Sequence, residues 1–273
     1  MKLFIAFFLL LIAQSSIGQS ISCLYTQPVG QAYTCNLNIQ NPGGVDFDSI
    51  GGVHLEGRTN ADVQVLRALN QNTYNIPRRV CFTFQNLVNF TMISSRVYEL
   101  SAWSFAHCQN IQRIELYNNL IQDIPEDTFY ANPNLRVLDI NNNRLTSIHV
   151  RALTGSRLEW INLNFNQFVT FNFTWLDSVR ETLTVLDMMS NRLQELQPAA
   201  FRNLGNLRSL NLGTNFFTDL PGDAFNALTN LQILFLHGNF LNLLRPGWFN
   251  SMFALTELRL EFNLVPSLPA RIF

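Results

Sequence analysis

Lysine is almost missing from this chain of 273 residues: Lys2 is the only one, and charged residues of all kinds make up 14 %. A chain so poor in lysine, with no basic cluster, lacks the electrostatic footprint of a nucleic-acid or anionic-membrane ligand. HExxH, GxSxG, GxxxxGK[ST] and CxxC are also absent, so no motif with a defined catalytic or phosphate-binding mechanism is present. No enzyme and no cofactor are expected. Beyond the first dozen residues no apolar run approaches the roughly 20 residues that a membrane span needs. The 47 % hydrophobic content supplies ample core and argues against disorder.

What is present begins with MKLFIAFFLLLIAQSSIGQS, a basic residue, a short apolar run and small residues Ser16 and Gly18 at cleavage-site spacing. That pattern predicts a signal peptide over 1–18. Its removal takes Lys2 with it and leaves seventeen arginines against nineteen carboxylates, a net charge near -2. The four cysteines, Cys23, Cys35, Cys81 and Cys108, all lie in the first 108 residues. In an exported chain an even number predicts disulfides. Three pairings are possible. Cys23 and Cys35 flank a segment suited to a hairpin, which favours Cys23 with Cys35 and Cys81 with Cys108. A zinc site is the rival, with weak spacing and only His107 close by.

The rest repeats itself. Against the template LxxLxLxxNxL, copies start at 87, 111, 135, 158, 183, 207, 231 and 255, with asparagine in the ninth place at Asn119, Asn143, Asn166, Asn191, Asn215, Asn239 and Asn263 and Ser95 in the first copy. The spacing is the leucine-rich-repeat period. IPRRVCFTFQNL (76–87) matches the second half of a repeat, so the array is expected over 76–273 behind a cap at 19–75 that includes degenerate coils. Each copy predicts one short strand whose fourth and sixth residues face the core while the third, fifth and seventh face out. The ninth-place asparagines are expected to satisfy backbone groups where the chain turns. A second apolar row, Phe105, Phe129, Phe201, Phe225, Phe249 and Phe273, is expected to stack on the returning side, each ring worth roughly 1.5–3 kcal/mol of burial.

These residues resemble extracellular leucine-rich-repeat proteins of the typical 24-residue class, such as Toll and chaoptin-like ectodomains. GGVHLEGRTNADVQVL and the paired Cys23 and Cys35 are similar to secreted insect proteins of this kind. The resemblance implies an α/β-type solenoid: a horseshoe with a parallel concave sheet, irregular or 3-10 convex coils and a disulfide-bonded N-terminal cap. It also implies recognition of an extracellular protein or glycan on the concave face, without catalysis, as in adhesion or innate immunity. A homo- or hetero-dimer is compatible with it.

Outward positions carry whatever specificity exists. Eight strands make a face roughly 34 Å long, suited to a macromolecule. In the third place Val137, Trp160 and Val185 form an apolar stripe beside Asp139, Asn162 and Asp187 of the fifth place, and these six residues are the expected partner site. Tyr117, Met189 and His237 of the seventh place, with Phe235 and Phe262, form a more scattered group. Glu115 and Asp139 lie close enough for a carboxylate pair, here read as a solvated acidic strip. The four histidines, His54, His107, His149 and His237, fall at unrelated repeat positions and are read as surface residues, of which His237 alone projects onto the concave side. A structural matrix or self-assembling component is the alternative function. Two sequons, at Asn89 and Asn172, predict glycosylation, the second in an irregular coil expected to bulge. Past Phe273 a next strand is due near position 279, so the array is expected either to continue in a longer chain, with room there for an anchor, or to be covered by a partner.

Overall fold

The computed structural model describes residues 20–40 and 50–272 apart from 78, 171, 172 and 271. The signal-peptide region, the Asn172 sequon and Phe273 lie outside the described residues. Leu and Ile at the first, fourth and sixth template places, alternating with half-exposed neighbours, give strands with an outside-inside-outside pattern, as in Val137–Asp139, Trp160–Asn162 and Val185–Asp187.

The chain opens with a hairpin of β1 (Ser20–Thr26) and β2 (Thr34–Gln40), antiparallel, with β3 (Ile50–Gly51) parallel to β1. Parallel strands follow, one per coil: β4 (Val65–Leu69), β5 (Asn89–Ile93), β6 (Arg113–Glu115), β8 (Val137–Asp139), β10 (Trp160–Asn162), β11 (Val185–Asp187), β12 (Ser209–Asn211), β13 (Ile233–Phe235) and β14 (Glu257–Arg259). They form one twelve-stranded sheet in the order β14-β13-β12-β11-β10-β8-β6-β5-β4-β2-β1-β3. On the returning side β7 (Asp123–Ile124) pairs with β9 (Ser147–Ile148) in a separate two-stranded sheet. Helix among the described residues amounts to one turn at Val80–Thr83 and 3-10 turns at Asn60–Asp62 and Phe173–Ser178. The molecule is therefore a β-solenoid of parallel strands, with less helix than an α/β label suggests.

The asparagine ladder carries the turns. Asn166 Nδ2 donates to the carbonyls of Leu163 at 3.1 Å, Asn164 at 3.2 Å and Ile140 of the preceding coil at 3.2 Å, while its Oδ1 accepts from Leu145 N at 2.9 Å. Asn119, Asn143, Asn191, Asn215, Asn239 and Asn263 repeat the scheme. At the first copy Ser95 Oγ takes a smaller part, donating to Ile93 O and accepting from Gln71 N. A second ladder escaped the sequence template. Asn110, Asn134, Asn206 and Asn230, each just before a repeat start, donate to the carbonyls of Gln85, Gln109, Glu181 and Gly205 one coil back. The recurring dipeptide of Asn before the first apolar place was its visible sign.

On the returning side Phe105 stacks on Phe129 at 5.6 Å and Phe201 on Phe225 at 6.3 Å, all fully buried. In the irregular coil the 3-10 turn buries Phe173, Trp175 and Leu176, and Phe173 meets Phe201 edge-on at 4.8 Å. The described part of that coil tucks Phe173 and Trp175 inward at the place where the other coils carry a single phenylalanine.

The cap hairpin buries one face, Ile21, Cys23, Tyr25, Cys35, Leu37 and Ile39. Cys23 and Cys35 are disulfide-bonded across it with Cα atoms 5.1 Å apart. Cys81, in the one-turn helix, bonds Cys108 in the following coil, Cα atoms 4.9 Å apart. His54 belongs to this cap: its ring stacks on Tyr25 at 4.0 Å and both nitrogens are engaged, with Tyr33 Oη at 3.0 Å and Asn60 Oδ1 at 2.9 Å. It is a packed network residue, a correction to its expected surface role.

The eighth template place has a common backbone geometry: Ser94, Asn118, Asn142, Phe165, Ser190, Thr214, Gly238 and Phe262 all have positive φ, from 50° at Asn142 to 64° at Gly238. This left-handed conformation suits Gly and Asn and burdens bulky residues.

Two stability outcomes follow. Asn166→Ala leaves the buried Leu145 N without its acceptor and removes one of two donors from each of the carbonyls of Ile140, Leu163 and Asn164, and thermal or urea unfolding should show a loss of about 1–3 kcal/mol, the cost of an unmet buried group. Asn166→Asp, which keeps the shape but loses the amide donor, should be no better. Conversely Phe165→Asn removes left-handed strain and should stabilise the fold by about 1 kcal/mol in the same measurement.

Candidate recognition face

Parallel pairing sets the outward columns in register. Trp160 lies directly opposite Val137 on one side and Val185 on the other, all three half-buried, and the column runs on to Ser209 and Ile233. The expected apolar column is thus continuous in register, with Trp160 on the strand between those of Val137 and Val185.

In the fifth column Asp139, Asn162 and Asp187 are likewise adjacent. Their side chains are partly structural. Asp139 Oδ1 accepts from Asn141 N at 3.3 Å and from Asn141 Nδ2 at 2.6 Å, Asn162 Oδ1 accepts from Asn164 N at 3.1 Å, and Asn211 Oδ1 accepts from Gly213 N at 3.0 Å. Each is a short acceptor bonding backbone two residues on, the local turn for which Asp and Asn are suited. Burial pushes the Asp139 carboxyl above the usual carboxylate range against the pull of Asn141, and Glu115 adds to the rise. Asp187 is raised by burial too, opposed by its bond with Asn211 and reinforced by Asp139.

Glu115, opposite Asp139 in register, accepts from Thr91 Oγ1 at 3.0 Å and pairs with Arg113 at 3.5 Å. Among the described residues no group of three or more His, Cys, Asp or Glu side chains is placed to hold a metal ion. What the strip offers is a run of acceptors beside an apolar ridge, the complement of a basic and apolar partner surface.

The C-terminal end of the face is built differently. The Arg259 guanidinium stands 4.6 Å from the Phe235 ring centroid and ion-pairs with Glu257 at 2.7 Å. His237 lies 6.0 Å from Phe235, edge to face, and its ring covers Gly213 so closely that a Cβ there would sit 2.4 Å from Cε1. Of the seventh-place group, His237 and Phe235 are brought together. His237 is half-buried, its ring lying over the glycine of the neighbouring strand's seventh place. The signal was the lone glycine in an outward column, legible only once the neighbouring histidine is placed beside it. Tyr117 and Met189 stand apart in their own coils.

Asn89 is the first residue of β5, half-buried in the third column and opposite Arg113. Among the described residues no helix is long and apolar enough to cross a membrane.

Comparison with known proteins places this geometry. The family model described as leucine rich repeat matches residues 85–145, 109–168, 181–225 and 206–265. Chaoptin of Drosophila melanogaster is 30 % identical over 102 residues, 37 % of this chain and 8 % of its own length. Toll-like receptor 3 of Bos taurus is 28 % identical over 183 residues, 62 % of this chain and 20 % of its own. Both relatives are far longer than the stretch matched. Among solved structures, the TLR13-ssRNA13 complex superposes with a TM-score of 0.71 at 23 % identity, covering 77 % of this chain and 30 % of that one, a likeness of fold. Period, strand register, asparagine ladder and family match agree: the chain belongs to the leucine-rich-repeat family.

Proposed function

We propose that this chain is an exported recognition module that binds an extracellular protein on its concave face, centred on Trp160 and bounded by Val137, Val185, Asp139, Asn162 and Asp187. The single observation that carries the proposal is the register that sets Trp160 between Val137 and Val185 beside two carboxylates. An aromatic ring flanked by aliphatics and rimmed by charge is the usual make-up of an interface hot spot. The leader at 1–18, two disulfides and the sequon at Asn89 support export, and a glycan on Asn89 would crowd the N-terminal strands and direct contact toward the middle coils. The acidic strip and the net charge near -2 favour a basic protein surface over a nucleic acid.

The test is affinity capture from extracellular fluid with the wild-type chain and the Trp160→Ala, Val185→Ser variant. Loss of a hot-spot tryptophan should weaken capture by tenfold or more, roughly 1.4 kcal/mol or above. Unchanged capture would exclude the stripe as the binding surface.

A second outcome concerns pH. Both aspartates have raised folded-state values, so their ionised forms are disfavoured by folding. The cost is present at neutral pH and disappears as pH falls through the raised value toward the ordinary 3.8. Asp187→Asn should accordingly raise the melting temperature at pH 7 and leave it unchanged near pH 3. The same variant should weaken capture of a basic partner at pH 7, separating recognition from stability.

A further inference from the structure

Away from the concave face, the edge where strands turn into the returning coils carries an open groove of about 560 Å³. Phe165 stands on one side, and Phe216 and Phe240, from two consecutive coils, stack on each other at 5.9 Å on the other. The intervening coil contributes Ser190 and Arg192. All three rings are about half exposed, at 51 %, 48 % and 45 %. Phe165 moreover occupies the left-handed eighth place, where five of the other seven coils use Ser, Asn or Gly. Strain and exposed apolar area coincide at one spot, a combination that accumulates at binding sites.

We infer that this groove is a second docking site, for an extended segment of a partner protein that presents an apolar side chain next to an acidic one. The rings supply the apolar walls. Arg192 supplies the charge: no carboxylate lines the groove, and among the described residues its guanidinium is in no ion pair. Carbohydrate fits less well, because sugar hydroxyls need acceptors. Of the amides lining the groove, Asn143, Asn166, Asn191 and Asn215 are committed to the ladder, which leaves only Gln167 beside the hydroxyls of Ser190 and Thr214. The site shares no residue with the Trp160 surface, so each stands or falls separately.

Synthetic ten-residue peptides provide the probe: one series with Phe or Leu beside Asp or Glu, a second with Lys in place of the acid, and a third with Ser in place of the apolar residue. Binding is read by fluorescence anisotropy, alongside an array of neutral oligosaccharides. The apolar-acidic series should bind, with the Lys and Ser series at least tenfold weaker. Phe165→Asn, which relieves backbone strain and should melt higher than wild type, should lose binding at least tenfold, and Arg192→Glu should shift preference to the Lys series. Trp160→Ala should bind the peptides as wild type does. Equal binding of all three series, full retention by a folded Phe165→Asn, or binding confined to the oligosaccharides would overturn the assignment.

Discussion

A strand that ends after three residues leaves backbone donors and acceptors inside the molecule with nowhere to go, and the fold depends on meeting them. Water is excluded from the interior, and the sheet ladder stops too early to help. Asparagine solves the problem because one short side chain holds two donor hydrogens and a double acceptor. Each ladder residue closes its own turn and ties it to the coil before. Once that turn is fixed, the residue before it is forced into the left-handed region, the strand register follows, and the outward columns align. The buried leucines and phenylalanines supply most of the stabilising area, but the amides decide where each coil bends.

Recognition and architecture share side chains on the concave face. Asp139 and Asn162 point acceptors outward and at the same time hold the backbone of the next turn. Asparagine at 139 would keep the turn as Asn162 does in the next coil, so the Asp139 carboxylate adds charge that local structure does not require. At the C-terminal end of the sheet a cation joins the face, Arg259 over Phe235 and paired with Glu257. The face thus runs from acceptors beside an apolar ridge to a stacked cation.

The repeat itself was legible because its period is strict and its apolar places are filled with little ambiguity. From those places the strand pairs, the inward rows and the position of Trp160 between its neighbours follow by counting. What counting does not reach is anything set by the third dimension of the turn. Phe165 looks like an ordinary exposed aromatic until its φ is known, and Phe216 and Phe240 become a wall only when consecutive coils bring them together. The surroundings of His54 and His237 were out of reach for a related reason. Each is solitary in sequence yet packed by residues from other coils or strands, Tyr25 and Tyr33 in one case and Gly213 in the other. The irregular coil differs because the 3-10 turn carries Phe173 and Trp175 inward in place of a single phenylalanine at the regular position.

Ring thickness has a geometric consequence. Strands in a sheet are spaced about 4.8 Å apart, whereas the stacked phenylalanines on the far side stand 5.6 and 6.3 Å apart. Neighbouring coils are wedges, narrow at the sheet and wide at the aromatic row, and a stack of wedges must arc. Where the row is regular, at Phe105–Phe129 and Phe201–Phe225, the phenylalanines thereby widen the far side of the stack and open the inner face, without touching whatever body that face holds.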